Sequence, residues 1–178
     1  ITFQLGVMAL FVALVVAITV MSASLKDSTR VVFDEQFTGD FVVATDAAGA
    51  GGLSPQLASD LNELPEVESA AGVRAGVARV HQRDTSDTTY VSVDPATAGR
   101  VFDVGMIDGS IEALTPNGVL LDDDEAADRH LGVEDTLELT FLDGTTRELT
   151  VEGIYTEETL AGPLVISHAL NEQSGSEQ

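Results

Sequence analysis

"TLELTFLDGTTRELTVEGIY", residues 136–155, is the stretch whose reading decides the fold. Leu137, Leu139 and Phe141 alternate with Glu138 and Thr140, and Leu149, Val151 and Ile154 answer them across Asp143-Gly144. Alternation at period two gathers one apolar face, and Asp-Gly suits the backbone of a tight reversal, so a β-hairpin with one buried face is expected.

Other elements follow outward from the hairpin. "GVLLD" (118–122) and "PLVIS" (163–167) read as short buried strands, and 122–131 as a helix with Gly132 as its stop. Upstream, "VESAAGVRAGVARVH" (67–81) alternates imperfectly around Gly72 and Gly76, which suggests a long strand that is bent or bulged. "RDTSDT" is a turn, "TYVSVD" (89–94) returns antiparallel, and Pro95 opens a short helix behind Asp94 as its cap. Ser54-Pro55 starts an earlier helix, with Leu57, Leu61 and Leu64 on one face before Pro65. "DFVVATD" (40–46) reads as a buried strand and "AAGAGG" as a loop, while "HALNEQSGSEQ" begins one more element before a polar tail. No internal repeat shows at a fixed period. Strands outnumber helices and the two interleave, which makes the class α+β.

The first 25 residues carry no charge. As a helix they would reach about 37 Å, enough to cross a hydrocarbon core of ~30 Å. A transmembrane helix over 1–25 is therefore expected, and membrane lipid becomes a partner. The alternative is a secretory signal peptide cleaved near Ser22-Ala23-Ser24, although the apolar run is long for one. Leu25, Thr29, Val32, Phe33 and Phe37 fall on one helical face, so the anchor is expected to continue as a stalk to near Gly39. Without an initial Met, the sequence reads as a piece of a longer protein.

Charge excludes further classes. Thirty acids against eight basic residues give −22 over 178 residues, so nucleic acid is not expected as a partner. Cysteine is absent, which removes disulfides and thiolate metal sites. Solvated carboxylates of a salt-adapted surface, or a compositional bias toward Asp and Glu, account for the acidity without a ligand.

Each motif that might carry chemistry is incomplete. "GAGGLS" (49–54) sits where a dinucleotide loop would, but Ser54 stands in place of the third glycine. Lys26 is the sole lysine and follows no glycine-rich run, so there is no P-loop. Asp122, Asp123, Asp124, Glu125 and Asp128 form the densest carboxylate cluster, yet acids favour a helix's first turn, and the EF-hand spacing is missing. His81, His130 and His168 lack zinc-ligand spacing and read as surface or edge residues. No nucleophile elbow surrounds Ser54. No catalytic, cofactor-binding or metal-ligating residue is assigned, and no enzyme activity is expected.

Taken in order, the uncharged helix, "SASLKDSTRVVFDEQFTGDFVV", "GLSPQLASDLNELPEVESAAGVR", "VSVDPATAGRVFDV", "GVLLDDDEAADRHLGVEDTLELTFLDGTTRELTVEGIY" and "GPLVIS" resemble the extracytoplasmic core domain of FtsX-like, MacB-type ABC-transporter permeases. The resemblance implies a porter-like α+β subdomain within 26–178, incomplete at its C-terminus, with a small β-rich subdomain inserted at about 117–155. It implies a plasma-membrane location with 26–178 outside the cytoplasm. A cytoplasmic ATP-binding subunit and a second permease subunit or half would be partners. The function implied is coupling of ATPase-driven motion to export or release of a lipid, lipoprotein, peptide or drug, or to signalling toward cell-wall enzymes. The alternative is a membrane-anchored acidic binding module of the cell surface. Further apolar spans downstream would separate the two.

Overall fold

The computed structural model describes residues 41–43, 52–54, 56–82, 85–156 and 161–174. The expected membrane helix and stalk (1–39), residues 44–46 of the expected strand 40–46 and residues 47–51 of the expected loop 47–52 lie outside these. Among the described residues no helix is long and apolar enough to cross a membrane.

In chain order the elements are α1 (Leu57–Asn62), β1 (Val73–His81), β2 (Thr85–Val93), α2 (Pro95–Val101), β3 (Met106–Asp108), a 3-10 turn (Ile111–Ala113), β4 (Gly118–Asp122), α3 (Asp123–Arg129), β5 (Thr136–Phe141), β6 (Thr146–Tyr155), β7 (Leu164–Ser167) and α4 (His168–Gln173). The expected hairpin is β5 and β6, with Thr140 opposite Thr146 and Gly144 at φ 85° in the reversal. Asp94 caps α2 through Ala96 N–H, as its place before Pro95 suggested.

Strand order is β3-β6-β4-β7-β2-β1-β5, and β5 pairs again with β6. Six strands therefore close into a barrel, which leaves β3 outside it on β6 and removes the barrel's own edges. The stretch 117–155 supplies β4 to β6 to this same sheet.

The barrel has an internal pseudo-two-fold that the sequence does not display. β1-β2 and β5-β6 are antiparallel hairpins; each passes through a connection to a buried strand, β4 or β7, which runs straight into a helix, α3 or α4. β2 lies parallel to β7 as β6 does to β4. The axis passes where β4 and β7 cross antiparallel, with Leu120 opposite Val165 and flanked by Val119–Ile166 and Leu121–Leu164.

All six strands feed the interior, with Val80, Leu121, Leu137, Leu139, Leu149 and Ile166 among its fully buried side chains. A second core forms where α2, the 3-10 turn and Tyr155 cover Leu120 and Val165. One bulge in β6 serves both. Val119 pairs with Val151 but Leu120 with Gly153, so Glu152 is the extra residue. Leu149, Val151 and Ile154 thereby face the interior while Tyr155 enters the second core. The Glu152 carboxylate accepts the Thr115 N–H at 2.7 Å and its hydroxyl at 2.6 Å, tying down the loop into β4.

Several expectations are corrected. Residues 67–72 are not strand, and β1 pairs with β2 in unbroken register. Gly76 marks a close approach and no bulge: a Cβ there would lie 2.4 Å from the Tyr90 ring. β2 begins at Thr85, earlier than expected, which shortens the turn. α1 ends at Asn62, because the Asn62 amide turns to bond Ala58 O and both the N–H and C=O of Ala70. α3 stops at His130, in left-handed conformation at φ 58°, and not at Gly132, whose N–H bonds Asp135. Phe41, Val42 and Val43 are exposed and outside any strand, since no strand among the described residues pairs with them.

Candidate functional site

Register brings three chain segments to one corner of the barrel. Val73 opposite Val93 sets the start of β1 beside the end of β2, and Val93 beside Ser167 adds the start of α4. Ser167 caps α4 by accepting the Leu170 N–H at 3.2 Å, which fixes the first turn and the direction of His168. His168 Nε2 lies 3.1 Å from Gly72 O, and Nδ1 lies 3.1 Å from Ser92 Oγ. A carbonyl only accepts, so the proton belongs on Nε2 and the Ser92 hydroxyl donates to Nδ1. Beside them Arg74 reaches Glu172 of α4 at 3.8 Å.

This bonding suits a neutral ring. Partial burial and the nearby Arg74 guanidinium push the His168 pKa below its ordinary value, against the opposing pull of Gly72 O, Asp94 and Glu172. A serine hydroxyl on an imidazole has the atoms of a nucleophile and base. Ser92 is fully buried, however, so its oxygen is closed to a substrate and the pair serves as a tie.

From sequence all three histidines are expected at the surface or at an edge. His168 departs from this, being partly buried with both nitrogens engaged across 76 and 96 residues. His81 sits at the end of β1 on Thr140 Oγ1, and His130 is exposed. Of "GAGGLS", Gly52 to Ser54 are described: Gly52 has open space around it, and Ser54 accepts the Gln56 N–H at 3.3 Å. Asp122, Asp123 and Asp124 do converge, with one carboxylate oxygen from each within 4.8 Å of the others. Asp122 is nevertheless the buried cap of α3, accepting the Asp124 N–H, while Asp123 and Asp124 are exposed first-turn acids. Glu125 pairs with Arg129 at 2.7 Å, and Arg129 continues to Ser86 Oγ, joining α3 to β2. Asp128 stays exposed.

Two ties escaped sequence reasoning altogether, namely His168 to Gly72 and Asn62 to Ala70. A histidine directly behind a Ser cap, and an asparagine at a helix end, were their only local signals.

A family model for the MacB-like periplasmic core domain matches residues 5–172. The chain belongs to that family. Its sequence matches no curated protein. Among solved structures, a domain described as part of a permease protein from Porphyromonas gingivalis is 17% identical, at a TM-score of 0.48, over 65% of this chain and 60% of that one. The periplasmic region of MacB from Actinobacillus actinomycetemcomitans is 12% identical, at 0.49, over 68% of this chain and 57% of that one. Both likenesses are loose, and the chain spans less than two thirds of the length of either. The mixed α+β barrel is thus a MacB-like periplasmic core domain.

Proposed function

We propose that this chain is the first membrane helix and outer domain of an ABC-transporter permease, and that it couples motion without catalysing a reaction. The family match from residue 5 to residue 172 carries this reading, because it runs through the uncharged leader as well as the barrel. In this reading a cytoplasmic ATP-binding subunit drives the membrane helices, and a second permease subunit or half stands opposite. The leader contacts lipid and continues as a stiff stalk, so a tilt in the membrane reaches the outer domain. A closed, densely packed barrel suits such a part, since packed cores transmit displacement and absorb little of it. The cargo class is a lipid, lipoprotein, peptide or drug, or the output is a signal to cell-wall enzymes.

Placing Gly-Gly at Ser28 and Thr29 tests this in the intact transporter. Each glycine costs a helix about 1 kcal/mol, which leaves the fold standing while creating a hinge. ATP hydrolysis should stay near normal and transport or signalling should fall sharply. Normal transport with normal hydrolysis would contradict rigid coupling.

A further inference from the structure

Closure of the barrel is staggered at β1. Residues 78–81 pair with β5, whereas among the described residues 73–77 have β2 alone beside them. Hydrogen bonds on either side show which backbone groups this leaves open. Arg74 O accepts the Ser92 hydroxyl from β2. Phe141 spends its N–H on Thr145 O within the hairpin, so Thr140 and Glu138 are the β5 residues whose backbone meets β1, at Arg79 and His81. Peptide groups along a strand alternate in direction. Those of Val73, Ala75 and Val77 therefore aim at the open edge, in line with Arg79 and His81 further along. Their side chains are exposed as well, and an open apolar edge is a template for another strand.

We propose that residues 41–43 of the same chain dock on this edge as a further strand, parallel to β1. Phe41, Val42 and Val43 are strand-forming residues that lie outside any strand and are exposed, Phe41 by 87%. Residues 44–72 join them to β1 and contain α1, a longer link than the dozen or so residues that a crossover between parallel neighbours needs. α1 lies against the start of β1, where a Cβ on Gly72 would be 3.6 Å from Ala58, yet it buries no residue. A crossover helix packs on both strands that it joins, and α1 has only one beside it. Docking completes a βαβ unit, gives the outward backbone groups of Ala75 and Val77 partners, and sets apolar side chains beside Val73 and Val77. A strand of three residues has a precedent in β3. The tether holds 41–43 at an effective concentration on the order of millimolar, whereas two separate chains of charge −22 repel each other, so the chain's own segment takes the edge and a second copy does not. The pairing is a property of this domain and stands apart from the coupling reading above.

Amide hydrogen exchange of the whole 178-residue chain in detergent tests it, read at Ala75 and Val77 against β4 to β7. N–H directions alternate along 41–43 too, so one of Val42→Pro and Val43→Pro removes a donor aimed at β1. That variant should speed exchange at Ala75 and Val77 about tenfold while β4 to β7 hold their rates. Val42→Thr and Val43→Thr keep the N–H and the branched Cβ, and should change little. A segment that stays exposed and unpaired would tolerate both prolines without effect. The proposal is overturned if neither proline speeds Ala75 and Val77, if the threonine variants act like the prolines, or if β4 to β7 loosen equally. It is also overturned if tenfold dilution of the parent chain removes the protection, which would assign the edge to a second copy. None of these outcomes bears on the ATPase coupling, which the hinge variant tests separately.

Discussion

Residues 56–72, the strap that leads into β1, and the barrel fold by different means. Every residue of β4 and β7 is buried, while α1 buries none. Among the described residues, the large exposed hydrophobics are Leu64 in the strap, Phe41, Val42, Val43 and Leu53 ahead of it, Val73 and Val77 on β1, and Ile107 and Leu142. Stability therefore resides in the barrel, and the strap is kept by a few polar ties. Regions held this way are the ones that open at low free-energy cost.

The sharpest way to break this comparison is a matched pair of truncations. Leu139→Ala, inside the barrel at 0% exposure, should cost about 2–5 kcal/mol in chemical denaturation. Leu61→Ala on α1 should stay below about 1 kcal/mol, since Leu61 is only half-buried. Equal losses would mean that the strap is an integral part of the core.

Two glycines supply the next contrast. Gly76→Ala drives a methyl to within 2.4 Å of the Tyr90 ring, which is held in place by its hydroxyl bond to Asn171 and its edge contact with Phe141. About 1–3 kcal/mol should be lost to overpacking. Gly72→Ala meets ordinary contacts at 3.6 Å and should be far milder by the same denaturation measurement. A larger loss at Gly72 would place the tight packing in the strap.

The smallest effect is a pH dependence. The His168 pKa is lowered in the folded chain, so on acidification the unfolded chain takes up the proton first. This contribution is therefore complete above the ordinary value of 6.5 and is lost as pH falls below it toward the folded value. Melting measured at pH 7.5 and pH 5.5 should show a shallow loss for the parent chain that His168→Gln lacks. Identical slopes would separate His168 protonation from stability.

Local chemistry explains which parts of the fold were legible. The 136–155 hairpin, the Asp94-Pro95 helix start and the apolar runs at 118–122 and 163–167 each signal through neighbours in sequence. Barrel closure does not, because it depends on β1 meeting β5 and β2 meeting β7 across long separations. The two-fold repeat is hidden for a related reason: α2, β3 and the 3-10 turn separate β2 from β4, while residues 156–163 alone separate β6 from β7 in sequence. At the corner, His168 acquires its partners from 76 and 96 residues away, so periodicity could not distinguish it from an exposed histidine. Residues 67–72 misled for the opposite reason. Their composition allows a strand, but both the N–H and the C=O of Ala70 bond the Asn62 side chain instead of a neighbouring strand.

The most direct test of the coupling claim follows exchange in the complete permease assembled with its ATP-binding subunit, with and without trapped nucleotide. Motion delivered through the leader and strap to a rigid barrel predicts that nucleotide alters exchange in peptides from 57–72 and leaves β4, β5 and β7 unchanged. Identical exchange in the two states, or a change spread equally over strap and barrel, would contradict it.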